Sequence, residues 1–208
     1  MQLTWTHSIV KVVAGIAALA GVLGVSGRAE AAPYTHDGFY LQLNAGLGYL
    51  NASSDQAGVE TKMSGVTLPS SLLLGGTVGP VVIGGGFFAD HAFSPGYSRN
   101  GQPAPTGTSL TMTLIGIGAF ADIYPDVHKG LHFQPFVGWG GLETSVNGNS
   151  GGSDPTGLVL ALGGGYDVFV SDNWSIGGMA RIAYAPLSVD NVSVGVFAPS
   201  LLATFTYH

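Results

Sequence analysis

His91 follows Asp90 and precedes Ser94, so an imidazole, a carboxylate and a hydroxyl fall within one short stretch. A hydrolytic site uses such groups, but it also needs a nucleophile and an orienting carboxylate converging on one pocket, and no spacing in this chain imposes that convergence. These residues are therefore read as solvated loop positions, and no enzyme is expected. His128 falls in a turn, His132 lies two residues from Gln134, and His36 and His208 are terminal to the patterned region, so no set of metal ligands assembles. The absence of cysteine removes thiol catalysis, disulfides and cysteine-held metals. No cofactor is expected either. The triple glycines Gly84 to Gly86 and Gly163 to Gly165 do not open a helix, nor do they precede Lys with Ser or Thr as a phosphate loop would.

The polar residues that stand out instead occupy every second position of otherwise apolar segments. Gln42, Asn44, His132, Gln134, Asp167 and Arg181 share this placement and are candidates for one interior polar network. An Asp167–Arg181 pair is doubtful on register. Counting back from the turn at Ser171 to Asn173 puts Asp167 opposite about Gly177, roughly 13 Å along the strand from Arg181. Arg181 is expected to meet Glu143, Tyr40 or Asn44 across the interior, because an uncompensated buried charge costs several kcal/mol.

The elements that position these residues are strands. From Gly38 to Leu50, Phe39, Leu41, Leu43, Ala45, Leu47 and Tyr49 fall on one face, and Tyr40, Gln42, Asn44, Gly46 and Gly48 on the other. Similar segments are expected at 66–78, 81–89, 108–123, 131–142, 158–170, 174–185 and 192–207. The connections 51–65, 91–107, 143–157 and 186–191 are read as outer loops and 79–80, 125–130 and 171–173 as short turns. In the fourth segment the polar parity of Thr111 and Thr113 is read as interior, Pro69 is expected at a rim, and Pro135 is an irregularity. Segments of about a dozen residues are longer than the usual soluble strand and match the roughly 9–11 tilted residues that cross a bilayer, and the polar parity can then face inward only in a closed barrel. Phe39, Tyr40, Tyr49, Tyr124, Tyr166, Trp174, Tyr184, Phe205 and Tyr207 fall near segment ends, where interface girdles are built.

Composition supports a membrane setting. Charged residues make up 9% of the chain, about a third of the usual share, and the net charge of −6 leaves no basic stripe for nucleic acid. Lys11, the apolar run Val12 to Val25, and the small residues leading to Ala31 read as a secretory signal peptide. The expected organisation is a signal peptide at 1–31, a short linker at 32–37 and a β-barrel domain at 38–208.

With eight strands, alternating long and short connections and both termini on one side, the chain resembles the small eight-stranded outer-membrane barrels of Gram-negative bacteria, the OmpA-type and OmpX-type group. Leu201, Ala203, Phe205 and Tyr207 supply the alternating apolar ending of that group, with His208 as one extra residue. The resemblance implies outer-membrane localisation, an all-β antiparallel up-and-down transmembrane barrel, contact with outer-membrane lipid and lipopolysaccharide, and recognition by the outer-membrane assembly machinery. The cell-wall tethering of larger relatives is not expected. The resulting expectation is a monomeric, non-enzymatic barrel with a structural or surface-interaction role, meeting any extracellular ligand through 51–65, 91–107 and 143–157. Two alternatives stay open. A narrow channel for ions or small solutes would use space left by Gly46, Gly48, Gly138, Gly140, Gly163 and Gly165, and a soluble periplasmic lipocalin-like ligand binder would turn the apolar faces inward.

Overall fold

The computed structural model describes residues 38–103, 109–146, 149–150 and 154–208. The expected signal peptide and linker, and residues 104–107, 147–148 and 151–153 of two expected loops, lie outside the described residues. Eight long strands organise the described chain: β1 (Phe39–Gln56), β2 (Val59–Val78), β3 (Val81–Phe93), β4 (Leu110–Ile123), β5 (Leu131–Val146), β6 (Thr156–Ser171), β7 (Trp174–Val189) and β8 (Val192–Tyr207). Each pairs antiparallel with the next, and β1 also pairs with β8, with Leu41 opposite Tyr207 and Ala45 opposite Ala203. The sheet is a closed, all-β up-and-down barrel with no free edge in its wall, as a hydrocarbon surrounding demands of strands.

Side-chain parity follows from the apolar alternation. Leu43, Leu160, Leu162 and Ile182 point outward with 46%, 39%, 61% and 52% of their surface exposed, while Gln42, His132 and Asp167 point inward and are buried. An apolar exterior around a closed barrel matches a bilayer, whereas the lipocalin-like alternative needed those same faces to line the interior. Along the outside, ten residues separate Phe39 from Tyr49, Trp174 from Tyr184, and Phe197 from Tyr207. At about 2.5 Å of height per tilted residue that spacing is about 25 Å, the height of the apolar band of an outer-membrane barrel.

Several sequence expectations are corrected. The segment 51–65 is not a long loop: β1 and β2 continue through it to a two-residue turn at Ala57 and Gly58, both with positive φ (53° and 79°). The same twisted turn geometry closes β7–β8 at Asp190 and Asn191 (45° and 65°), so 186–191 is mostly strand. Within 91–107, β3 runs on to Phe93, passes an irregularity at Ser94, and resumes as Gly96–Arg99 against β2 before turning at Asn100 and Gly101. Within 143–157, residues 143–146 extend β5, Asn149–Ser150 pairs with its end, and Thr156 opens β6. On β4 it is Leu110, Met112, Leu114 and Phe120 that face inward, so Thr111 and Thr113 lie outside. Tyr40 and Tyr124 are fully buried in the lumen and take no part in a girdle.

The prolines sit in mid-ladder. Pro69 pairs with Asp90 on the β3 side, and Pro135 with Leu162 on the β6 side. On the other side of each, the register skips two residue pairs and resumes unchanged. In an antiparallel pair each residue directs its N–H and C=O to one neighbour, so a proline removes pairing on one side only.

Leu162 lies at mid-height on β6 and Gln56 near the tip of the β1–β2 hairpin. Leu162→Arg is expected to destabilise the barrel by about 2–4 kcal/mol in lipid vesicles, and Gln56→Arg by less than about 0.5 kcal/mol. Equal effects in urea titrations would show that the Leu162 face does not meet hydrocarbon.

Candidate functional site

The inward parity assembles two chemically distinct layers. In the half nearer the termini, Asp122 at the end of β4 is the hub. It accepts hydrogen bonds from Tyr40 Oη (2.6 Å), Tyr124 Oη (3.3 Å) and Gln134 Nε2 (3.1 Å), and its Oδ1 meets His132 Nδ1 at 2.8 Å. Gln134 also donates to Gln42 Oε1 (2.9 Å), and Asn44 Nδ2 bridges Gln42 Oε1 (3.0 Å) and Ser71 Oγ (2.8 Å). Gln42 donates to Thr206 Oγ1 (3.3 Å), and Asp167 accepts from Thr204 (2.5 Å) and Thr206 (3.4 Å). His132 lies flat against Tyr124 with ring centroids 5.3 Å apart, and its Nε2 stands 3.9 Å from Asp167, beyond hydrogen-bond range. Five of the six candidate residues therefore belong to one connected network: Gln42, Asn44, His132, Gln134 and Asp167.

Arg181 stands apart from it. Its Nη2 pairs with Asp90 Oδ1, both groups buried, and its guanidinium carbon sits 4.4 Å from the Phe88 ring centroid. Asp167 lies opposite Gly177, the position read from the sequence, and does not reach Arg181. The partners expected for Arg181, namely Glu143, Tyr40 and Asn44, are replaced by Asp90. That residue lies inside the barrel because β3 extends past Ala89. The same extension separates the candidate catalytic trio: Asp90 points inward, His91 points outward to Thr113, and Ser94 sits at the β3 irregularity.

Above the ion pair the lumen is lined mainly by apolar side chains, with Thr67 buried among them. Leu50, Met112, Leu114, Leu142, Val159, Leu187 and Val196 are buried there. Between the layers, Ser71, Leu73, Phe88, Gln134, Phe136, Ala161 and Arg181 line a cavity of about 20 Å³, room for about one water. The lumenal glycines do not open a path. A Cβ on Gly165 would stand 2.5 Å from His132 Nε2, one on Gly163 2.5 Å from Met179 Sδ, and one on Gly48 2.7 Å from Thr67 Oγ1. Gly46, Gly138 and Gly140 press against the backbone of the neighbouring strand. These glycines let strongly coiled strands approach an interior already filled.

His208 closes the barrel floor. Its N–H donates to Asn173 O (2.9 Å), its Nε2 meets Ser175 Oγ at 3.0 Å, and its ring packs among Tyr40, Tyr124 and Phe169. Burial, assisted by repulsion from His132, lowers its pKa from 6.5 to about 4. Sequence reasoning treated this residue as a surplus and missed Asp122 altogether. Asp122 could have been found, since a carboxylate within a spanning strand must face the lumen, and that would also have set the parity of β4.

No protein-family model matches the chain, and no curated protein sequence does. Solved structures match its fold. OprG from Pseudomonas aeruginosa superposes with a TM-score of 0.58 at 10% identity, covering 85% of this chain and 99% of OprG. Neisserial surface protein A gives 0.53 at 18% identity, covering 81% and 96%. Ail of Yersinia pestis, solved with the heparin analogue sucrose octasulfate, gives 0.52 at 14%, covering 82% and 99%. The fold is that of the small eight-stranded outer-membrane barrels.

Arg181→Met leaves the Asp90 carboxylate buried without its cation and is expected to cost about 3–5 kcal/mol, whereas Arg181→Met with Asp90→Leu should recover most of that loss. Double-mutant unfolding measurements check this, and additive losses would contradict a coupled pair. For His208, the unfolded chain gains a proton near pH 6.5 that the folded barrel refuses until about pH 4. Stability should therefore fall as pH drops through that window, by about 3 kcal/mol in all, then level off. His208→Phe should remove that fall, so the difference between wild-type and variant stabilities should change by about 3 kcal/mol over that range, and parallel curves would sink the assignment.

Proposed function

We propose that the protein is a non-enzymatic outer-membrane barrel whose working surface is the extracellular crown formed where the strands outrun the bilayer. The observation that carries this reading is the filled lumen. A polar network, a buried ion pair and an apolar layer succeed one another along the barrel axis, and an eight-stranded wall leaves no further width. Transport through the axis would require breaking the Arg181–Asp90 pair and displacing the apolar layer together.

The crown is built mainly from the upper parts of β1, β2 and the Gly96–Arg99 strand. Its charged residues are Lys62 and Arg99 against Asp55, Glu60, Glu143, Asp154 and Asp190, and Lys62 is already paired with Glu60 at 2.7 Å. Ail was solved with a sulfated sugar, but an acidic crown repels a polyanion, so the partner fitted here is neutral or cationic.

Two measurements test the reading. Purified barrel in planar bilayers should show no stepwise conductance, and a stable open state would replace this function with a channel. Because the chain has no cysteine, Gln56→Cys should react with a membrane-impermeant maleimide on intact cells, and Lys129→Cys should react only after permeabilisation. The reverse pattern would overturn the assignment of the crown to the cell exterior.

A further inference from the structure

The cavity of about 20 Å³ between the polar network and the ion pair has a divided lining. Leu73, Phe88, Phe136 and Ala161 supply its apolar walls, and Ser71, Gln134 and Arg181 its polar ones. Each polar lining group has hydrogen-bonding capacity left over. Arg181 gives Nη2 to Asp90, while its Nε is buried and meets no partner among the described residues. Gln134 spends its amide hydrogens on Gln42 and Asp122, which leaves Oε1 to accept. Ser71 Oγ accepts from Asn44 and keeps its own hydrogen to give. On the far side of Gln134, Asp122 meets phenols, an amide and an imidazole, and no Lys or Arg among the described residues pairs with it.

We propose that this cavity is a binding site for a single water molecule, which joins the Arg181–Asp90 pair to the polar network and relays the guanidinium charge to Asp122. The water accepts from Arg181 Nε–H and from the Ser71 hydroxyl and donates to Gln134 Oε1, which gives it the usual number of partners for a buried water. The Gln134 amide in turn donates to Asp122, so the dipoles of water and amide run head to tail from cation to carboxylate. In an interior of low dielectric such a chain polarises along its length and stabilises both charged ends. The volume exceeds the one probe sphere, about 10–15 Å³, that a water needs, whereas a wholly apolar cavity would stay dry. The three polar lining groups decide for water. Chloride would sit against Gln134 Oε1 beside the Asp90 carboxylate, and ammonium could accept nothing from Arg181. The site lies in the lumen and does not depend on what the crown meets.

The test uses the full mature barrel, with heat-modifiable migration showing that each variant has folded. In crystals grown from sodium bromide, electron density at about 2 Å resolution or better should show one peak within about 3.2 Å of both an Arg181 nitrogen and Gln134 Oε1, without an anomalous bromine signal. A cavity without density overturns the site, and a bromine signal assigns it to an anion and overturns the water. In nanodiscs, nuclear magnetic resonance should show magnetisation transfer from water to the Arg181 Nε–H. Ala161→Val, whose added methyl groups fill the cavity, should abolish that transfer, and Ala161→Gly, which leaves the cavity open, should keep it. Asp122→Asn should shift the Arg181 Nε resonance in the wild-type background and leave it unmoved in Ala161→Val. Transfer that survives Ala161→Val, or the same shift in both backgrounds, overturns the relay. Should Ala161→Val fail to fold, the wild-type density decides alone.

Discussion

The constraint on which the whole molecule depends is that a β-strand in hydrocarbon has no solvent for its backbone, so each N–H and C=O must find a neighbouring strand. Closure between β1 and β8 satisfies it around the ring. The prolines show how far the rule bends. Pro69, Pro135, Pro186 and Pro199 each lie in a strand, and each interrupts pairing with one neighbour for two residue pairs while the register on the other side runs on. The gaps fall on different seams, so no two strands lose contact along their length and the cylinder stays whole.

Closure then dictates the interior. Eight strands enclose a space just wide enough for side chains, and every inward residue must pack or hydrogen-bond against those across from it. Among the described residues three carboxylates enter, each compensated differently: Asp90 by Arg181, Asp122 by two phenols, an amide and an imidazole, and Asp167 by two threonine hydroxyls. Uncompensated, any one of them would cost several kcal/mol. The polar layer therefore depends on having nearly all its members, and its position next to the termini puts His208 within reach as a lid on the same network.

Much of this was legible in the sequence, and the parts that were not have identifiable causes. Alternation read correctly on β1 and on β5 to β8, which gave the inward parity of Gln42, His132 and Arg181 and the Asp167–Gly177 register. It failed where the strands leave the bilayer. Beyond Ala52 neither face of β1 is buried, so Ser53 to Gln56 carries no apolar signal although its backbone remains paired. The polar Thr111 and Thr113 misled for a related reason: they lie outside, above the apolar band, and so mimic an interior parity on β4. Asp90 looked like the start of a loop because a carboxylate beside a histidine seldom continues a strand. Only its partner across the barrel, 91 residues away in sequence, explains it.

The same boundary accounts for where function can reside. About ten residues of each strand cross the apolar band, yet β1 has 18 and β2 has 20, while β3 has 13 before its irregularity. The surplus is carried almost wholly to the outer side, because the connections near the termini are short. It is uneven, and so the crown is tallest over β1 and β2: Ala57 stands eight residues beyond Tyr49, about 20 Å above the hydrocarbon boundary. Beyond Ala52 and Met63, which still pack against the lumenal core, the height, charge and twist of that hairpin can change without disturbing the interior, and the wall below holds it at a fixed distance from the membrane.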